Sequence, residues 1–164
     1  MSLNNLKDLY IDQLQDLYSA ECQSRDVVKE MQRKAGEPKL QDALDRGVSG
    51  IEDGISSLNA VISRHGENPN GEYCQGMAGL VREARKHAID ADFGDQDVQD
   101  ASIITQYQRM THYAMAGYGT ALAFARRLEL EDDAESLQRC LDATYHGDGV
   151  MTAIAEGRVN PAAV

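Results

Sequence analysis

The sequence predicts an all-α protein, a bundle of four long helices in which one long crossover joins two helical hairpins. Four long segments carry apolar residues at steps of three and four, the spacing of a single helix face. Only three prolines occur in 164 residues, and none lies in the middle of such a segment. The first two segments are closely spaced, as are the last two, whereas residues 66–96 separate the two pairs.

The first helix is predicted over about residues 5–35. An asparagine at position 4 or 5 can accept a hydrogen bond from an unpaired amide of the first turn, and Gly-Glu-Pro at 36–38 ends the helix. The buried line of this helix runs through Leu6, Leu9, Leu14, Leu17, Val28 and Met31.

The second helix is predicted from Pro38, a residue suited to a first helical turn, to about His65, where "HGENPNG" ends it. Its apolar stripe begins at Leu40 and continues to Ile62. Only two or three residues join it to the first helix, so we expect the two helices to be antiparallel neighbours.

The rest of the chain predicts two more long helices, over about residues 97–130 and 132–155, with a tight junction at "LELEDD". The crossover at 66–96 carries a short amphipathic helix at roughly 75–91. Two hairpins joined by one long crossover are the ferritin-like arrangement, whereas a simple up-down bundle needs a short loop there. We therefore expect one ferritin-like domain over residues 1–164.

Charge and composition exclude several classes of partner. The chain has 16 basic and 27 acidic residues, a net charge of −11, which disfavours nucleic acid and anionic membranes. It has no apolar run of 18 residues, and its first residues lack the apolar core of a signal peptide, so no membrane segment is expected. Cys22, Cys74 and Cys140 are an odd number without paired spacing, which predicts reduced thiols and a cytoplasmic location.

A second apolar face on the first helix predicts a homodimer. Tyr10, Tyr18 and Val27 lie off the main apolar line of that helix. Because bundle proteins commonly cover such a face with a two-fold partner, we expect a symmetric dimer through the first two helices and the crossover.

Four charged residues are candidates for an inward-facing site, because ferritin-like bundles build two-metal centres from carboxylates and imidazoles. Glu21 lies on the buried line of the first helix, where it either binds a metal or pairs with a core tyrosine, histidine or arginine. Glu52 on the second helix is either a ligand or part of a solvated flank. His112 lies at or near the inner face of the third helix, and Asp148 lies on the apolar line of the fourth. Each of these two either binds a metal or packs as a polar group.

Several stretches of the sequence are distinctive. They are "LYIDQLQDLYSAECQ" near the start, "CQGMAGLVREA" in the crossover and "QRMTHYAMAGYGTALAFARRL" in the third helix. With the short fourth-helix segment, they resemble the YciE/YciF family of bacterial stress-associated ferritin-like proteins over nearly the whole chain. The resemblance implies the same ferritin-like bundle and a family whose biochemical role is undefined.

The resemblance also implies which positions would hold metal. The family's first-helix glutamate falls on Glu21, and its third-helix histidine falls on His112. The family's acidic run in the fourth helix falls on residues 142–148, where Asp148 matches. These three residues are the positions at which the sequence keeps the family pattern.

Other positions depart from that pattern. The family's second-helix Glu-x-x-His falls on Ser49 and Glu52, so a carboxylate replaces the imidazole. Hydroxyl side chains replace three expected carboxylates, at Ser49, Thr111 and Thr144. Hydroxyls are weak ligands for Fe or Mn and bring no neutralising charge.

We therefore expect the remnant of a two-metal site rather than an intact one. Glu21, Glu52, His112 and Asp148 are expected to form a polar core network that holds one metal weakly or none. This predicts a non-catalytic stress-associated protein with no cofactor. The alternative is an oxidoreductase or metal-storage protein that binds Fe or Mn through an altered ligand set. A third possibility is a small-molecule binder that uses the vacated chamber.

Overall fold

Five helices form the protein, for which a computed structural model describes residues 3–164. A 3₁₀ turn at Pro69–Gly71 precedes α3, and π-helical turns at Arg85–Ile89 and Ala155–Val159 extend α3 and α5, the second followed by a short turn at Asn160–Ala162. The helices are α1 at Leu6–Lys34, α2 at Pro38–Arg64, α3 at Gln75–Ala84, α4 at Gln96–Arg127 and α5 at Glu131–Ile154.

Local chemistry sets the ends of these helices. The Asn5 side chain accepts a hydrogen bond from the Asp8 amide at 2.9 Å at the start of α1, and Pro38 occupies the first turn of α2. Asp95 caps α4 by accepting from the Asp97 amide at 2.7 Å. Glu129 has φ 59°, which turns the chain sharply between α4 and α5.

All adjacent long helices of the bundle are antiparallel. Helix α1 packs against α2 and α4, and α5 packs against α4 and α2. Lys7 near the start of α1 contacts His65 at the end of α2, whereas Gln96 at the start of α4 donates to the Lys34 carbonyl at the end of α1. The crossover therefore travels the full length of the bundle. The predicted ferritin-like four-helix bundle with a fifth helix in its crossover is confirmed.

A buried carboxylate ties three helices together at one end of the bundle. The carboxylate of Asp133 accepts hydrogen bonds from the Tyr10 hydroxyl at 2.9 Å and from Arg64 Nε at 2.9 Å, and lies 2.6 Å from His65 Nε2. Lys7 Nζ lies 2.7 Å from His65 Nδ1. Because an ammonium can only donate, Nδ1 accepts and the proton on Nε2 points to Asp133. These partners hold the pKa of Asp133 below its usual range although burial acts the other way.

The apolar core is divided in two along the bundle axis. One cluster includes Val28, Leu44 and Met151, and the other includes Leu14 and Leu58. On every long helix the two clusters are separated at mid-height. The chain therefore has a break in its apolar packing at the level of the middle turns, where the candidate functional site lies.

Two further expectations can be compared with the structure, a second apolar face on α1 and the lack of a membrane-spanning segment. Tyr10 and Val27, expected to face a partner, are each 0% exposed within the monomer, and Tyr18 is half-buried. That reason for a homodimer is wrong, because the face in question packs inside the bundle. Within residues 3–164, none of the helices combines the length and the apolar character that a bilayer crossing requires.

Candidate functional site

A cavity of about 490 Å³ lies at mid-height of the bundle, between α1, α2, α4 and α5. Apolar side chains, among them Val28, Ile51, Met110 and Val150, form much of its wall. The polar groups of its inner wall include Glu21, Ser24, Ser57, Tyr107, Thr111, Tyr118, Cys140 and Thr144. We call this cavity the central chamber.

Small residues on α2 create the chamber. Gly47, Gly50 and Gly54 recur at steps of three and four, so they share one face of the helix, which lines the chamber. A Cβ on Gly47 would lie 2.8 Å from the Tyr107 hydroxyl, and one on Gly54 would lie 2.5 Å from the Tyr118 hydroxyl. A Cβ on Gly50 would meet nothing within 4 Å. Two of the glycines thus make room for tyrosine hydroxyls, and the third leaves open space.

Glu21 is a buried carboxyl group on the α1 wall of the chamber. Its hydrogen-bond partners are hydroxyl groups, that of Tyr118 and that of Ser24, whose Oγ lies 3.5 Å from Glu21 Oε2. Burial raises the pKa of Glu21 to about 7, because the hydroxyl hydrogen bonds offset only part of the desolvation of the charge. The carboxyl group of Glu21 therefore holds its proton more tightly than an exposed glutamate does.

The hydroxyl groups of Tyr107 and Tyr118 stay protonated, and those of Thr111 and Thr144 donate to backbone carbonyls. Burial raises the pKa of Tyr118 well above its usual value and raises that of Tyr107 as well. The Thr111 hydroxyl donates to the Tyr107 carbonyl at 2.9 Å, and the Thr144 hydroxyl donates to the Cys140 carbonyl at 2.8 Å. The Thr111 hydroxyl is also a hydrogen-bond partner of the Tyr107 side chain. Since the hydrogens of both threonines bond to their own helices, further groups can bond to these hydroxyls only by donating to them.

The chamber opens between α2 and α5. Gly50 on α2 and Ala143 on α5 are exposed, although both line the chamber. Four charged or titratable residues stand at this opening. They are Arg46 and Asp53 from α2, and Arg139 and His146 from α5. Arg139 Nη1 lies 2.7 Å from Glu135 Oε1, and Asp53 stands on the rim with Arg46, so both signs of charge are present at the opening.

The second-helix candidates lie outside the chamber. Glu52 is exposed, and its Oε1 lies 2.7 Å from Lys29 Nζ. Ser49 is also exposed, and its hydroxyl donates to the Asp45 carbonyl. The structure thus shows the solvated flank that the sequence left open for Glu52. The expectation that Glu52 joins a polar core network is wrong, because helical periodicity turns the glycine face toward the chamber instead.

The histidine candidate also lies outside. The side chain of His112 is 63% exposed, and its Nε2 lies 3.2 Å from Oδ1 of Asp148, whose side chain is 20% exposed. Asp148 also accepts a hydrogen bond from Gln108 Nε2 at 3.1 Å. The expectation that His112 belongs to an internal network with Glu21 and Glu52 is wrong. Helical periodicity places the adjacent Thr111, and not His112, among the α4 residues that line the chamber.

Sequence reasoning missed the glycine face and the tyrosines that face it. The pattern Gly47, Gly50, Gly54 was a usable signal, because three glycines at helical spacing inside one amphipathic helix are costly unless the missing side chains serve packing or space. Tyr107 carried no such signal. Within residues 3–164, no group of three or more His, Cys, Asp or Glu side chains is arranged to hold a metal ion.

The three thiols differ in their surroundings. Cys74 is buried and caps α3, Cys22 is half-buried on α1, and Cys140 lines the chamber. All three are free thiols in the part of the chain that the structure describes. Burial raises the pKa of each, and Cys140 is in addition close to Glu21 and hydrogen bonded to Tyr118.

Comparison with known proteins identifies relatives over the whole chain. Protein YciF of Escherichia coli (strain K12) is 27% identical over 161 residues, which cover 98% of this chain and 96% of that protein. The resemblance to YciF-type proteins is thus confirmed.

Solved structures show the same architecture. The protein YcfI of Rhodopseudomonas palustris superposes with a TM-score of 0.88 at 28% identity, covering 94% of this chain and 97% of that one. The E. coli stress protein YciF superposes with a TM-score of 0.88 at 26% identity, covering 96% and 98%. The model of the family described as domain of unknown function (DUF892) matches residues 5–164. The chain belongs to the DUF892 family.

Proposed function

We propose that the protein is a non-catalytic, stress-associated ferritin-like protein whose central chamber does not hold a two-metal centre. One observation carries the proposal: within residues 3–164, Glu21 is the only buried carboxylate on the chamber wall. Glycines occupy the facing wall of α2, and threonines occupy the walls of α4 and α5.

The donor set does not fit two metal ions. A two-metal site in a four-helix bundle draws carboxylates or imidazoles from all four helices. Here Gly50 offers no side-chain ligand, and the hydroxyls of Thr111 and Thr144 are weak, neutral donors. Glu21 has a pKa near 7, so near neutral pH a proton competes with any cation for its oxygens.

The roles of relatives support the rest of the proposal. YciF of E. coli is described as a stress protein, and a structural role has been put forward for YcfI of R. palustris. A bundle that keeps its architecture while its interior lacks metal ligands suits a structural or binding role better than redox chemistry. We place the protein in the cytoplasm, where its three unpaired thiols stay reduced.

Elemental analysis tests this proposal directly. The protein is purified without chelator and without added metal, and its iron and manganese are measured by inductively coupled plasma mass spectrometry. We expect far less than one equivalent of either metal. Two equivalents of iron or manganese would overturn the proposal and favour the metal-binding oxidoreductase or metal-storage alternative.

A matched pair of variants sharpens the test. Gly50→Glu, Thr111→Glu and Thr144→Glu together add three carboxylates to the α2, α4 and α5 walls of the chamber, in addition to Glu21 on α1. The control replaces Ser49 instead of Gly50, so that one added carboxylate points to solvent. We expect the first variant to bind manganese at least about tenfold more tightly than the control, because it adds oxygen donors and charge inside the chamber. Equal affinities would contradict the assignment of the glycine face to the chamber.

A further inference from the structure

We propose that the central chamber binds a small, uncharged aromatic molecule that carries one hydroxyl or N–H donor, a ligand of the phenol or indole class. The inference rests on the proposed function, since a chamber filled by a two-metal centre would leave no room for such a ligand. The bound molecule would occupy the space that the absent metal-binding side chains leave.

The size of the chamber is the first observation. At about 490 Å³ it falls in the range of small-molecule sites and far exceeds the voids of ordinary protein interiors. Gly50 leaves the chamber open, because a Cβ at this position would meet no atom within 4 Å and any larger side chain would extend into the empty space. A helix gains stability when such a glycine is replaced, so the open space is maintained against local helix propensity.

The chemistry of the inner wall selects the polar group of the ligand. Glu21 presents carboxyl oxygens, and the hydroxyl hydrogens of Thr111 and Thr144 bond to backbone carbonyls. The Tyr118 hydroxyl is bonded to Glu21, so the hydrogens of these wall groups are already in use. Each buried polar side-chain atom among residues 3–164 has a partner, and a carboxyl or hydroxyl oxygen can accept a further hydrogen bond. A ligand with a hydroxyl or N–H donor can therefore bond to this wall, whereas a ligand with acceptors alone meets no free hydrogen on Thr111, Thr144 or Tyr118.

The chamber disfavours ionic ligands. An anion would meet the buried carboxyl group of Glu21, whose hydrogen-bond partners are hydroxyl groups and include no cationic side chain. The rim does not select the sign of a ligand's charge, because Asp53 stands there with Arg46, and Arg139 is paired with Glu135. A cation would lose its hydration between mostly apolar walls, where burial makes the Glu21 carboxyl group hold its proton more tightly than usual. Both considerations favour a neutral molecule.

The apolar wall selects the body of the ligand. Met110, Val150 and Ile51 supply apolar surface, and the rings of Tyr107 and Tyr118 supply aromatic surface. Thioether sulfur and tyrosine rings both make favourable contacts with an aromatic ring. A flat aromatic body with one polar edge matches this lining.

Calorimetric titration with 4-propylphenol tests the proposal, and 4-propylanisole, which lacks the donor, serves as the matched probe. We expect the phenol to bind about tenfold more tightly than the anisole, the difference that one hydrogen bond makes. The absence of heat from the phenol in metal-free protein, or equal affinity for both probes, would overturn the proposal.

Two glycine variants locate the binding site. Gly50→Leu places a side chain in the chamber mouth, whereas Gly149→Leu lies on the exposed face of α5, away from the chamber, and also meets nothing within 4 Å. Both variants are expected to fold, which thermal unfolding checks. We expect Gly50→Leu to weaken phenol binding at least about tenfold, and Gly149→Leu to leave it unchanged. Binding that survives Gly50→Leu would place the ligand elsewhere.

The chamber thiol provides an independent readout. The phenol should slow the reaction of Cys140 with N-ethylmaleimide and leave that of Cys22 unchanged, because only Cys140 lines the chamber. Peptide mass spectrometry measures both rates in one sample, and equal protection of both thiols would contradict the proposal. Metal analysis of the same batch separates the two failures: metal-free protein that binds no phenol refutes this inference alone, whereas metal-loaded protein refutes the proposed function.

Discussion

The hydroxyl of Tyr118 occupies the space that a side chain at position 54 would need, since a Cβ on Gly54 would lie 2.5 Å from that oxygen. The same hydroxyl is a hydrogen-bond partner of Glu21. Gly54, Tyr118 and Glu21 therefore form one packed unit across three helices.

Alanine at position 54 should consequently destabilise the protein. The new methyl group would displace the Tyr118 hydroxyl, and such overpacking costs about 1–3 kcal/mol, against a gain of about 1 kcal/mol from helix propensity. At Gly50 only the gain applies, because nothing lies within 4 Å of the new Cβ. Urea unfolding should show Gly54→Ala less stable and Gly50→Ala more stable than the wild type. The same sign for both would contradict the packing described here.

Glu21 should make the protein less stable as the pH rises through neutrality. Its pKa is raised from 4.5 to about 7, so between these values the folded state binds the proton more tightly than the unfolded state does. Stability contributed by this group is complete below about pH 4.5 and is lost as the pH passes 7, a total on the order of 3 kcal/mol.

Glu21→Gln tests this dependence, because glutamine does not titrate. Near pH 5 the variant and the wild type should have similar free energies of unfolding, and at pH 8 the variant should be more stable by about 1–3 kcal/mol. Denaturant unfolding over this pH range checks it. A difference between the two proteins that does not change with pH would show that Glu21 titrates normally.

Asp133→Asn should destabilise the protein. The substitution removes the charge that pairs with Arg64 and that accepts from the Tyr10 hydroxyl and lies beside His65 Nε2. Hydrogen bonds to a charged group contribute about 1.5–3 kcal/mol each, so we expect a loss of that order. Asp132→Asn, one residue earlier and exposed, is the matched control and should change stability by less than about 0.5 kcal/mol. Urea unfolding compares the two variants.

The Asp133 cluster should also weaken in acid. Its partners hold the pKa of Asp133 below 3.8, so the stability it contributes is present above that value and is lost as the pH falls through the lower, folded-state pKa. The free energy of unfolding of Asp133→Asn should therefore depend less on pH below 4 than that of the wild type, which urea unfolding at several pH values checks.

A homodimer remains a prediction, and sedimentation velocity at micromolar concentration checks it. Two-fold dimers are the commonest assemblies among soluble homo-oligomers. Exposed large apolar residues include Tyr73 before α3 and Tyr145 on α5. We expect a dimer at micromolar concentration. Sedimentation as a monomer alone at that concentration would contradict the prediction.

The helices were predictable because their signals are local. Asn5 and Pro38 mark starts within a residue or two of those observed, and the length of the crossover was enough to distinguish a ferritin-like bundle from an up-down one. Glu21 was predictable for the same reason, since its place on the apolar line of α1 fixed its burial.

The chamber wall was not predictable at the level of single residues. One step along a helix rotates a side chain by about 100°, so Thr111 lines the chamber while adjacent His112 lies in solvent beside Asp148. On α2 the inward positions carry glycine, and residues without side chains give no hydrophobic periodicity to detect. The outward-facing Ser49 and Glu52 were assigned to the chamber because the family resemblance fixed them to ligand positions.

The division of the apolar core into two clusters has a consequence for amide hydrogen exchange. Isolated helices exchange fastest at their ends, where they fray. Here the ends of the long helices lie in the two packed clusters, and Asp133 adds hydrogen bonds at one end of the bundle. The turns of α2 around Gly50, in contrast, border the chamber. The amides of the middle turns of α2 should therefore exchange faster than those of the turns on either side. A molecule that enters the chamber should remove that difference and make the bundle exchange as a single unit.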